Sequence, residues 1–271
     1  MSRSRLAPNL AAPMLATASW FGCGDVVTMP ILANTSMVGD SSTAPDTSTA
    51  PDTSVAPDTS TAPDVSTNTE TSTGPPTAGQ LLALVQAHPC TSSNMVSPHV
   101  YPNPGSAVAD VPACSLNGAI YFYSGMTIDC DGRAAAGCPG ADPTYLPDTA
   151  FHNAKGMPLA AGITPYVVLP RDFQYAGLDT VRGGNVAAII YQNQVVYAVF
   201  GDTGPIDSIG AASYASAASL GINPNPATGG VNEGVTYIVF VGTGTAPVDI
   251  EDQAATKALG EQLAAALMAN N

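Results

Sequence analysis

Residues 43–66 repeat one hexapeptide four times, as "TAPDTS", "TAPDTS", "VAPDTS" and "TAPDVS". Such a segment has almost nothing apolar to bury, and its prolines interrupt both helix and sheet. It reads as an extended, solvated tether, so residues 24–77 are expected to be a disordered linker and folding is confined to residues 78–271. In front of the tether stand Arg3 and Arg5, a weakly apolar stretch from Leu6 to Phe21, and small residues around Cys23. That order is the pattern of an export segment over residues 1–23. Two prolines and an asparagine break the stretch, which is too short and too interrupted for a transmembrane helix. Cys23 is placed where a bacterial lipoprotein carries its lipid. The expectation is a protein that is secreted or held at the extracellular surface, touching a membrane only through such an anchor.

The chain carries 21 acids against seven bases, a formal charge of -14. Residues 79–271 alone hold 14 acids and five bases, so the excess belongs to the folded part and not only to the tether. This surface repels the phosphates of nucleic acid and anionic headgroups, which excludes nucleic acid as a partner and favours a neutral or cationic one. The competing reading is that an acidic surface keeps an exported protein soluble.

With Cys23 set aside, Cys90, Cys114, Cys130 and Cys138 remain, an even number that favours two disulfides in an exported chain. The short glycine-containing loop "CDGRAAAGC" favours Cys130 with Cys138, which leaves Cys90 for Cys114. There is no Cys-x-x-Cys, and His88, His99 and His152 are scattered, so no metal site or other cofactor is expected. The apolar spacing of "AGQLLALVQAH", with Leu81, Leu82, Leu84 and Val85, predicts a first helix near Ala78. Strands are predicted over "AIYFYS" (119–124), "PYVVLP" (165–170) and "GVTYIVFVG" (234–242). The run "NVAAIIYQNQVVYAVFGD" (185–202) reads as a hairpin of 186–191 and 195–200 turned at "YQNQ", which delivers Asp202 to a strand end. "ASYASAASLGI" (212–222) is helix-capable. A closing helix is predicted with Ala255, Leu259, Leu263 and Leu267 along its apolar face and acids in its first turn. The sum is a mainly β (α+β) monomer, a small β-barrel with flanking helices. Tyr191, Tyr197, Tyr214 and Tyr237 alternate with other strand residues and fit a sheet face or core, although all four, Tyr214 foremost, are also candidates for stacking on a ligand ring.

The Asp-Thr-Gly within "GDTG" at 201–204 is the chemically loaded stretch. An aspartic protease needs two such loops whose carboxylates share a proton. "PDTAFH" at 147–152 lacks the glycine and the preceding apolar strand, and the tether copies lie in linker sequence. More of the chain fits another pattern. "AIYFYSGMTIDCDG", "DTAFHNAKGMPLAAGITPYVVLP", "GGNVAAIIYQNQVVYAVFGDTGP", "ASYASAASLGINPNPATGGVNEGVTYIVFVG" and "IEDQAATKALGEQLAAAL" together resemble the glycoside hydrolase family 75 chitosanases. The resemblance runs in order over residues 115–268. It implies endo-hydrolysis of β-1,4 links in chitosan, a cationic polymer, with inversion at the anomeric carbon. The glycine-flanked Asp-Thr also gives the domain a fold-level likeness to double-psi barrels.

Inversion requires an acid and a base on opposite faces of the sugar. The resemblance implies that Asp202 is one of them. It implies a glutamate nine residues later as the other, where this chain has Ala211. Three readings follow: Asp207 or Glu233 has taken over the role, the chain is a non-catalytic, surface-tethered chitosan-binding protein, or the alanine is an introduced substitution that traps substrate. Asp129 and Asp131 in "DCDG" are candidates for holding glucosamine ammonium groups, with turn capping as the alternative. Asp148 and His152 in "DTAFH" are candidates to line the cleft, and a purely structural histidine is the alternative for His152.

Overall fold

The computed structural model describes residues 74–138, 142–174 and 181–271. The export segment with Cys23, and the linker up to residue 73, lie outside the described residues. Helix α1 (Ala78–Ala87) begins where expected, because Thr77 and Gln80 form a reciprocal capping box. After a small ribbon of β1 (Tyr101–Pro102) and β2 (Ala109–Val111) come β3 (Cys114–Leu116) and β4 (Ala119–Asp129). Next are β5 (Tyr166–Pro170), β6 (Val186–Tyr191), β7 (Gln194–Gly204), β8 (Ala211–Ser213) and β9 (Val231–Phe240). Helix α2 (Tyr214–Ser219) follows β8 directly, capped by Ser213, and α3 (Gln253–Asn270) closes the chain.

Strands β4, β8, β5, β7, β6 and β9 follow one another around a ring, and antiparallel pairing of β9 with β4 closes it into a six-stranded barrel. The pairs β4–β8 and β5–β7 are parallel and the other ring pairs antiparallel. Closure removes the free edges that an open sheet would expose. Inward residues such as Phe122, Val167, Leu169, Ile189, Phe200 and Tyr237 fill the interior. Phe122 stacks on Tyr237 with ring centroids 4.6 Å apart.

The outward residues are apolar too, since most of the wall is covered. Leu81 and Val85 of α1 and Ala264 and Leu267 of α3 pack on Tyr121, Ala188, Ile190 and Ile238. This double coverage explains why the strands read as continuous apolar runs and not as alternating ones. Two details of α3 differ from the sequence expectation. Its acids precede the first turn, with Asp252 as N-cap accepting from the backbone N of Ala255 at 2.9 Å. Its buried stripe is Thr256, Gly260, Ala264 and Leu267, while Leu259 and Leu263 are only partly covered. The cause is close packing at Gly260, where an added Cβ would stand 2.3 Å from the Tyr197 ring. The disulfides are Cys90–Cys114 and Cys130–Cys138, as the spacing favoured, and they fit an oxidising compartment. Among the described residues no helix is long and apolar enough to cross a membrane.

Candidate active site

Asp202 owes its position to an irregularity in β7. Phe200 points into the barrel, and strict alternation would send Asp202 the same way. The β5–β7 register breaks between Val167, opposite Phe200, and Val168, opposite Asp202, leaving Gly201 as the extra residue. This bulge turns Asp202 to the outer face beside Val168. Only glycine fits at 201, because a Cβ there would lie 2.6 Å from that of Tyr166 and 2.7 Å from Leu159.

A single row then crosses four strands: Thr127 of β4 opposite Ala211 of β8, Ala211 opposite Val168 of β5, and Val168 opposite Asp202 of β7. All four residues line one cleft of about 620 Å³. At a strand spacing of about 4.8 Å, Ala211 and Asp202 stand two strands, or roughly 10 Å, apart along the backbone. The same cleft is lined by Asp129, Asp131 and Asp142, with Arg171 as its basic residue. Carboxylate oxygens of these three aspartates lie within 4.8 Å of one another. An adjoining cavity of about 340 Å³ shares Thr127, Val168 and Ala211 and includes Asp207.

Asp202 is 6% exposed, and its Oδ1 accepts the backbone N–H groups of Ala150 at 2.8 Å and Thr203 at 2.7 Å. Burial pushes its carboxyl up to about 6, against the pull of those two donors, with help from the charges of Asp131 and Asp148. Asp129 goes further, to about 7: burial dominates, the Asp131 backbone donor opposes, and the charges of Asp131, Asp202 and Asp142 add. Asp131 is raised by burial and by Asp142, against a 2.6 Å bond from the Leu146 backbone N. The Tyr166 hydroxyl, which donates to the Asp131 carbonyl at 3.0 Å, is held protonated by burial and by these carboxylates.

The "DTAFH" loop braces Asp202. Besides the Ala150 bond, the backbone N of Phe151 donates to the Gly201 carbonyl at 3.3 Å, and Thr149 Oγ1 donates to the Phe151 carbonyl while accepting from the backbone N of Leu159. Asp148 Oδ1 and His152 Nε2 share a 2.7 Å hydrogen bond on the exposed side of this loop, outside the residues that line the cleft, and Asp148 is close enough for its charge to act on Asp202. A second brace, which the sequence did not reveal, fastens the 130–164 segment to the approach to α3. Glu251 accepts from Arg133 at 2.6 Å, Asn153 at 2.7 Å, the Ala160 backbone at 3.0 Å and Thr164 at 3.2 Å.

Of the residues singled out from sequence, the fold brings Asp129, Asp131 and Asp202 into one cleft with Ala211. Asp207 lies on an exposed turn beside it, and Glu233 stands on the exposed start of β9 and lines neither cavity. Tyr214 is half-buried and packs behind the cleft wall, where its ring meets the position of Gly137. Asp142 and Arg171 were missed, since "GADPT" and "LPRDF" read as ordinary turn sequence.

Comparison with known proteins converges on one family. The chain is 33% identical over 172 residues to endo-chitosanase C of Aspergillus oryzae, covering 59% of this chain and 43% of that protein. It is 30% identical over 185 residues to endo-chitosanase B of Aspergillus oryzae (strain ATCC 42149 / RIB 40), covering 57% of this chain and 76% of that protein. The chain thus spans less than half the length of the first relative. The model of the fungal chitosanases of glycosyl hydrolase group 75 matches residues 126–267, just over half of the 271 residues. That span contains Asp129, the "DTAFH" brace, the Gly201 bulge, Asp202 and Ala211, and the chain belongs to the group 75 glycosyl hydrolase family of fungal chitosanases.

Proposed function

We propose that this protein hydrolyses β-1,4 links within chitosan by inversion, with Asp202 as one reacting carboxyl. The observation that carries this reading is a buried Asp202 in a cleft lined by four aspartates and one arginine. Glucosamine units are ammonium ions below neutral pH, and such a cleft attracts them while rejecting anionic polymers. In an inverting reaction one carboxyl removes a proton from the attacking water and a second protonates the departing oxygen, with the two about 6.5–9.5 Å apart. Asp202, braced by two backbone donors and ionised above about 6, suits the base. Asp131 and Asp142 serve as ammonium partners along the cleft, and the Asp148 carboxylate, held by His152, adds negative charge near Asp202.

The chain acts as an exported monomer without cofactor, its 24–77 segment giving reach between an anchor or the cell surface and the polymer. Ala211 supports a second reading, a protein that holds chitosan without cutting it, because the row opposite Asp202 lacks a carboxyl. The test incubates the full chain with chitosan, fully acetylated chitin and cellulose and follows the first products by proton NMR. The expected result is cleavage of chitosan with α-configured new ends. Products of β configuration, or preference for chitin or cellulose, overturn the reading, and binding without products selects the second one.

A further inference from the structure

Because Ala211 leaves the reaction one carboxyl short, the wall of the cleft opposite Asp202 has to supply another. Thr127 pairs with Ala211, and Asp129 lies two residues further along β4 on the same face, so both line the cleft. One strand spacing and two residue rises place Asp129 about 8 Å from Ala211 along the backbone. It therefore belongs to the same wall that a glutamate at 211 would serve. Among the described residues the Asp129 carboxyl accepts one hydrogen bond, from the backbone N–H of Asp131 at 2.8 Å, and forms no ion pair with a basic group. The charges that act on it from the remaining elements are acidic, Asp131 and Asp142 from the 130–164 segment and Asp202 from β7, with the Tyr166 hydroxyl from β5; Arg171, directly after β5, lines the same cleft as its basic residue. Asp207 and Glu233 are exposed to water instead.

Resting on the chitosan reading above, we propose that Asp129 is the general acid of this chain, standing in for the glutamate absent at Ala211. In the step, Asp129 gives its proton to the glycosidic oxygen as the bond from that oxygen to the anomeric carbon breaks. Asp202 takes a proton from the water whose oxygen bonds to the same carbon from the opposite face. Asp129 ends ionised and Asp202 protonated, and exchange with solvent resets both. The two environments favour this division, since burial and neighbouring charges raise Asp129 further than Asp202, so near neutral pH the proton resides more on Asp129. Activity therefore rises with an acidic limb from Asp202 and falls with an alkaline limb from Asp129, within a narrow band between about 6 and about 7.

The test measures kcat/KM of the full chain on chitosan and on a chito-oligosaccharide carrying a dinitrophenyl leaving group, which departs without a proton. Asp129→Asn is expected to lose about 100-fold or more on chitosan, less than about tenfold on the aryl substrate, and the alkaline limb of the pH profile. Adding Ala211→Glu to Asp129→Asn is expected to recover chitosan cleavage. Equal losses on both substrates, an unchanged alkaline limb, or the leaving-group pattern in Asp131→Asn instead would overturn the assignment. If the natural chain is silent and Ala211→Glu alone cuts chitosan, Asp129 is not the acid and the chitosan reading stands; if neither cuts, both fall.

Discussion

Asp129→Asn should stabilise the protein above neutral pH. In the folded chain burial and the charges of Asp131, Asp202 and Asp142 move the Asp129 carboxyl from 3.8 to about 7. The native state therefore holds this proton more tightly than the unfolded state does. The associated stability is fully present below about 4 and is lost as pH rises through about 7. About three units correspond to roughly 4 kcal/mol, and halving for the side chain's partial exposure leaves about 2 kcal/mol. The amide keeps an oxygen for the Asp131 backbone donor and occupies nearly the same volume. Thermal unfolding of natural and Asp129→Asn chains, compared at pH 4 and pH 8 with disulfides intact, reads the effect. The variant should match the natural chain at pH 4 and melt about 4–8 °C higher at pH 8. A difference that is the same at both pH values, or a lower melting point at pH 8, would refute the claim that the fold carries this carboxylate at a cost. Sites that hold a charge against folding stability are where function is concentrated.

Other consequences follow from the braces around the cleft. Glu251→Gln weakens a carboxylate that gathers four donors, and about 2 kcal/mol of stability should be lost, measured by urea unfolding; an unchanged midpoint would mean the network is dispensable. Replacing both Cys90 and Cys114 by serine opens a loop with a separation of 24 residues and should cost about 3 kcal/mol; the Cys130–Cys138 loop, with a separation of 8, should cost less when opened and disturb chitosan affinity more. Gly201→Val drives a branched side chain into Tyr166 and Leu159, so loss of the Asp202 position should abolish turnover even in chains that stay folded by circular dichroism; retained turnover would show that the bulge is not what aims Asp202.

Strands β5, β6, β7 and β9 were legible because their β-branched runs are buried on both faces. The hairpin turn was legible as well, with Gln192 taking the left-handed conformation between β6 and β7. The extension of β4 beyond Ser124 was not, since Gly125 and the exposed Thr127 interrupt the apolar run that marked its start. That extension is what brings Asp129 to the cleft. Alternation alone would have placed Asp202 inside the barrel, and a bulge cannot be read from spacing. The buried face of α3 was missed by one position because a glycine against Tyr197, and not a leucine, makes its tightest contact. Asp142 joins the acidic cleft through a long excursion between β4 and β5, and nothing local in its turn sequence announces that.

The central claim is that the buried carboxyl of Asp202 drives hydrolysis of chitosan. Reducing ends released from chitosan at pH 6.5 by the full natural chain, beside Asp202→Asn, test it most directly. Steady release by the natural chain and a fall of about 100-fold or more in the variant, with chitosan still bound, is the expected result. Release that continues undiminished in Asp202→Asn would contradict the account.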